Sequence, residues 1–166
     1  MALLRKKALN LHDFGEFIGF FAIHFLWQTE NHENVVPLLA KKDYGKPSFD
    51  RFESEGYSRA AAAASERFDS LKEQYGFILL ALDAYVPFKN QKYEAVVIQA
   101  HFQDTDSQHS IIFAIPYKWR SNKQHIYTIQ VLESDLLDKA NFLTDIKKGM
   151  ATHQDAFAHW QSHLGK

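Results

Sequence analysis

Four runs of strand length, at 77–86, 93–103, 110–119 and 125–133, dominate the hydrophobic pattern of this chain. They are rich in β-branched and aromatic residues, and five or six residues, mostly polar, separate each from the next. Such residues suit a pleated, half-buried surface. Connections this short cannot hold a crossover helix, so neighbouring strands are expected to run antiparallel as a four-stranded meander over about 77–133.

Helical periodicity flanks these runs. Phe14, Phe17, Ile18, Phe21 and Phe25 fall on one helical face, while Phe20, Ile23 and Trp27 make the opposite side apolar. The segment 14–27, entered through Asp13 as N-cap with Glu16 three residues on, therefore predicts a helix buried nearly all round. Gly15 and Gly19 weaken that helix, and the Phe/Ile content also suits a strand. Ser58 can cap a second helix over 58–75, with the stripe Ala61, Ala64, Phe68, Leu71, Tyr75 and a stop at Gly76. Two more close the chain, at 135–148 with Lys147-Lys148-Gly149 as its terminus, and at 152–164, burying Phe157, Trp160 and Leu164. Between Gln28 and Tyr57 only Val35-Val36-Pro37-Leu38-Leu39 breaks a polar, irregular stretch, which reads as a surface loop or binding loop.

The pattern thus predicts one α+β domain spanning 1–166, a four-stranded antiparallel meander covered by helices from both terminal segments. Sorting the strands by face gives an apolar wall running from Ile78, Leu80 and Leu82 through Val96, Ile98 and Ala100 to Phe113, Ile115, Tyr117 and Val131. In that register the second face is mixed. Its rows read Ala81, Gln99, Ala114, Gln130, then Asp83, Val97, Pro116, Thr128, then Leu79, His101, Ile112, Leu132. Small residues interleaved with amide, carboxylate and imidazole groups can floor a ligand site or seat a helix. Pro116 predicts a bend or an end in the third strand, because proline cannot donate to the ladder.

Composition narrows the function classes. The 46% hydrophobic and 23% charged content is that of a folded globular domain, and fourteen Phe imply a core of large rings. No cysteine is present, which excludes disulfides and thiolate-ligated metals and fits a reducing, cytoplasmic location. The apolar run 17–23 is far short of the roughly 20 residues a membrane span needs. Net charge is −1, and the basic residues stand as scattered groups at Arg5-Lys6-Lys7, Lys41-Lys42 and Lys147-Lys148, a pattern that disfavours nucleic acid.

No motif fixes a reaction or a cofactor. Gly45-Lys46-Pro47-Ser48 lacks the upstream glycine of a phosphate loop and has Pro47 where Ser or Thr should hold magnesium. No serine sits in a nucleophile elbow. Nine histidines raise the question of metal, and His159 and His163 share a helix face with Asp155. Asp155 and His163 stand about 12 Å apart at 1.5 Å per residue, so the three cannot close on one ion.

The sequence therefore points first to a non-catalytic binding or regulatory domain. It would recognise a protein partner or small ligand through Asp83, Tyr85, Gln99, His101, Thr128 and Gln130 on the mixed face, without a cofactor. The alternative is a small enzyme using Asp83 and His101 as acid–base groups. A third reading is an interaction or inhibitor-type protein acting through aromatics at the sheet's end, among Phe88, Tyr117 and Trp119. Self-association is compatible with each.

Overall fold

A computed structural model describes residues 9–31, 35–53 and 56–165. Among them are four α-helices and one antiparallel sheet of seven strands, an α+β arrangement. The predicted meander is thus part of a larger sheet. The strands are β1 (Leu38–Lys42), β2 (Ser48–Arg51), β3 (Phe77–Phe88), β4 (Gln91–Gln103), β5 (Gln108–Arg120), β6 (Lys123–Ile126) and β7 (Gln130–Ser134). They are ordered β2-β1-β3-β4-β5-β6, with β7 also paired to β5.

The first two strands come from the stretch expected to be a loop. β1 buries Leu38, Leu39 and Ala40 against β3, but every residue of β2 is exposed, so no alternation announces it. The expected fourth strand is split. β6 pairs with the end of β5 and β7 with its beginning, with a register shift between Ile112 and Phe113. Pro116 does not end β5, which runs on to Arg120. Its carbonyl accepts from Tyr127 N–H at 2.9 Å on the side where β6 has stopped and β7 has not begun. A strand residue's N–H and C=O point the same way, so proline's missing donor falls opposite that break.

Both faces of β3 are covered. Phe77, Leu79 and Ala81 join Val96, Ile98, Ala100, Phe113, Ile115 and Tyr117 in the main core, beneath α1 (Leu11–Gln28). Ile78 and Leu80 face the other way, with Leu39, against Ala64, Phe68 and Leu71 of α2 (Tyr57–Leu71). The wall predicted through Ile78, Leu80 and Leu82 therefore belongs to the opposite face from Val96, Ile98 and Ala100. The cross-strand register is Leu80↔Gln99 and Ala81↔Ile98, one residue from the expected one.

α1 begins at Asn10, whose side chain accepts from Asp13 N–H at 2.9 Å, not at Asp13. Phe14 packs on Phe77, Phe102 and Phe142 at ring distances of 5.2–5.6 Å. Burying one such ring contributes about 1.5–3 kcal/mol. α3 (Lys139–Thr152) lies parallel to α1: Phe142 meets Phe14 near the start, and His153, just past its end, meets Phe20, His24 and Trp27. Asp138 caps α3 by accepting from Asn141 N–H, and the helix runs through Gly149 instead of ending there. Gly15, Gly19 and Gly149 line the α1–α3 contact. α4 (Gln154–His163) buries Ala156, His159 and Trp160. No helix among the described residues is long and apolar enough to cross a membrane.

Candidate functional site

α2 covers the second face of the sheet only over β1 and β3. Over β4 and β5 that face falls away into a cleft of about 310 Å³. Gln99 and His101 of β4 and Ile112 of β5 floor it; Phe68 and Lys72 come from α2, and Glu133 and Asp135 from the far side. Phe68 and Lys72 are four residues apart, so one helix face buries the ring and carries the ammonium one turn above it. Asp135 is held by Ser110, whose N–H and Oγ donate to it at 2.9 and 3.3 Å.

The polar groups in the cleft are unevenly satisfied. His101 is 7% exposed, and its Nε2 lies 3.2 Å from Gln103 Oε1. The carbonyl can only accept, so Nε2 carries the proton and Nδ1 is left as an acceptor. The half-buried Gln99 amide has no hydrogen-bond partner, and Lys72 and Glu133 have no ion-pair partner, among the described residues. The Gln99 amide faces the cleft, where a ligand can take the place of water on it. Lys72 and Glu133 were not legible as site residues, because both belong to the polar side of their own element's pattern.

The other sequence candidates lie elsewhere. Gln130 stands opposite Ala114 as predicted, but its amide is turned back on Thr128, donating to O and Oγ1 at 3.1 and 3.4 Å. Asp83 and Tyr85 are on the α1 side of the sheet, since Asp83 pairs with Val96 and Tyr85 with Glu94. His101, paired with Ile78 and Ser110, is on the α2 side. The sheet itself separates Asp83 from His101, and they form no acid–base pair.

Asp83 has different company. Tyr117 Oη lies 2.7 Å from Asp83 Oδ1 and 2.9 Å from Glu94 Oε2. One hydroxyl proton cannot serve two carboxylates, so the arrangement is best satisfied when Asp83 is protonated and donates to Tyr117, which donates to Glu94. Burial raises the Asp83 carboxyl to about 6; the Tyr117 hydrogen bond opposes this and the Glu94 charge adds to it. Burial first, then the Asp83 and Glu94 charges, raise the Tyr117 hydroxyl far above its ordinary range. At the adjoining sheet edge, where β1 begins, Asp83 N–H donates to Tyr57 Oη at 2.6 Å. Burial pushes the Tyr57 hydroxyl up to about 12.

The histidines serve as internal struts. His159 Nε2 donates to Gln124 Oε1 at 2.9 Å, and Gln124 Nε2 donates to Thr29 Oγ1 at 2.7 Å, joining α4, β6 and the end of α1. His159 Nδ1 lies 3.5 Å from Glu30 Oε1. The His163 ring packs on it at 4.1 Å, with Nδ1 on the His159 carbonyl. Burial, then His163, lower the His159 pKa, against the pull of Glu30. His24 Nδ1 and His153 Nε2 stand 2.9 Å apart. His153 Nδ1 accepts from Ala156 N–H, so His153 donates to His24. Burial, then His153 and Arg51, lower the His24 pKa. Among the described residues no group of three His, Asp or Glu side chains is placed to hold a metal ion.

A second, larger cavity of about 530 Å³ opens beside α3, between Leu11, Leu136, Leu137 and Phe142. Leu137 is fully exposed at its rim. The carboxylates around it already have protein partners: Asp145 has His12 Nδ1 at 2.8 Å, Asp138 has Asn141, and Asp135 has Ser110.

No family model, curated protein or solved structure matches the chain. The geometry of these cavities is therefore the ground for a functional reading.

Proposed function

We propose that this protein is a binding domain that takes a small polar ligand in the cleft between α2 and strands β4, β5 and β7. The observation that carries this reading is the set of unpartnered polar groups there: the Gln99 amide on the floor, with Lys72 on one wall and Glu133 on the other. Opposite charges on facing walls suit a ligand bearing both an anionic and a cationic group, such as an amino acid or short peptide. The roughly 310 Å³ cleft lies at the small end of ligand sites. The α3-side cavity is larger, but its rim carboxylates are spoken for. Acid–base catalysis by Asp83 and His101 lacks the convergence it requires.

A thermal-shift screen of amino acids and dipeptides tests this reading. A ligand at about 100 times its Kd adds about 2.7 kcal/mol of stability. At least one zwitterion is expected to raise Tm, with the shift lost in Gln99→Ala and reduced in Lys72→Ala and Glu133→Ala. A panel without any shift, or shifts equal in wild type and all three variants, would refute the proposal.

A further inference from the structure

The sequence scatters its basic residues, but the fold collects five of them. The turns between β3 and β4 and between β5 and β6 lie at one end of the sheet, since Glu94 near the start of β4 pairs with Tyr117 near the end of β5. Each is a two-residue hairpin turn with both central residues at positive φ: Lys89 and Asn90 at 50° and 59°, Ser121 and Asn122 at 50° and 61°. That is the turn whose twist matches paired strands, so both tips are stiff. Lys89, Lys92, Lys118, Arg120 and Lys123 stand on or beside them.

Three of these cations are seated on rings. Lys89 lies 4.7 Å from the Tyr127 centroid, Lys118 5.3 Å from Tyr93 and Lys92 4.6 Å from Tyr85. Phe88, Tyr93 and Tyr127 pack on one another at 5.2–5.4 Å beneath Lys89 and Lys118, while Lys92 and Tyr85 stand on the other face of the same end. None of the five pairs with a carboxylate among the described residues. The acids on these strands, Asp83 and Glu94, are turned to Tyr117 on the α1 side.

We propose that this hairpin end is a docking surface for an acidic segment of a protein partner. Cations held on rings lose little freedom when they bind, and a positive patch steers a negatively charged partner to it. The whole chain carries a net charge of −1, so attraction is confined to the patch. That favours a short acidic segment over a long polyanion, whose affinity grows with the number of phosphates neutralised. The tips Asn90, Ser121 and Asn122 are polar and offer nothing to insert into a bilayer. The aromatic end expected from sequence is thus recast, with Tyr117 buried in the core and the exposed chemistry cationic.

Fluorescence anisotropy with a labelled oligoglutamate at low ionic strength provides the test, with an oligothymidylate of equal charge and anionic vesicles in parallel. The oligoglutamate is expected to bind, more weakly as salt is added, and the triple variant Lys89→Glu, Arg120→Glu, Lys123→Glu to lose at least about tenfold in affinity. All three positions are exposed, so the variant should melt with the wild type, as a circular dichroism melt will verify. Reversal at Lys46, Lys139 and Lys147 should leave binding unchanged. Absence of oligoglutamate binding, equal loss in the two triple variants, or tighter binding of the oligothymidylate or vesicles would overturn the proposal.

Discussion

Replacing Gly149 by alanine is expected to lower stability by about 3 kcal/mol, against the usual sense of that exchange inside a helix. A glycine within a helix normally costs about 0.5–1 kcal/mol relative to alanine, so propensity alone predicts a gain. The contact with α1 reverses the sign. A Cβ at Gly149 would lie 2.0 Å from the Glu16 carbonyl oxygen and 2.6 Å from its carbonyl carbon and Cα. At Gly19 it would lie 1.9 Å from the Ile146 carbonyl oxygen and 2.7 Å from Met150 N. These are backbone atoms of two packed helices and cannot rotate away. Relief requires α1 and α3 to separate, which loosens Phe14 on Phe142 and the core beneath. For a domain of this size the expected fall in Tm is roughly 6–12 °C, read by calorimetry on Gly149→Ala and Gly19→Ala. A Tm at or above wild type in both would show that the helices do not approach as described.

A second large effect concerns pH. Asp83, whose ordinary value is 3.8, is raised to about 6 in the folded protein. A carboxyl with a raised folded pKa binds its proton more tightly folded than unfolded. The stability it contributes is therefore full below pH 3.8 and is lost as pH rises through 6. Allowing for partial exposure, the loss is about 1–2 kcal/mol. Other carboxylates impose slopes of their own, so the useful quantity is the difference from Asp83→Asn, whose amide can donate to Tyr117 as the protonated acid does. The two proteins should differ least below pH 3.8, and the variant should become the more stable one by that amount above pH 6. Denaturation curves that stay parallel across the window would contradict the shared-proton arrangement of Asp83, Tyr117 and Glu94.

These two cases also show what the sequence could and could not convey. Gly149 after Lys147-Lys148 has every local mark of a helix end, and only the partner helix makes it an interior residue. Phe77 to Leu82 is apolar at every position because α1 and α2 cover β3 from opposite sides. An unbroken apolar run carries no period, so the face assignment slipped by one residue and put Asp83 on the same face as His101. β4 and β5 alternate more clearly, and there Gln99, His101 and Ile112 were correctly grouped on one face. The hairpin β1–β2 left little trace because β2 buries nothing. Lys72 and Glu133 were invisible as site residues, since a cleft joins elements whose meeting is set by tertiary packing. The basic hairpin end is the same case: Lys118 and Tyr93 are far apart in sequence and meet only through strand order.

The central claim, that the α2-side cleft is the binding site, is tested most directly by amide NMR during titration with the zwitterions that raise Tm. Saturable shifts are predicted for the Gln99 side-chain amide and for the backbone of His101, Ile112 and Glu133. Shifts confined to the α3-side cavity around Leu136 and Phe142, or to the hairpin end, with Gln99 unmoved, would contradict it.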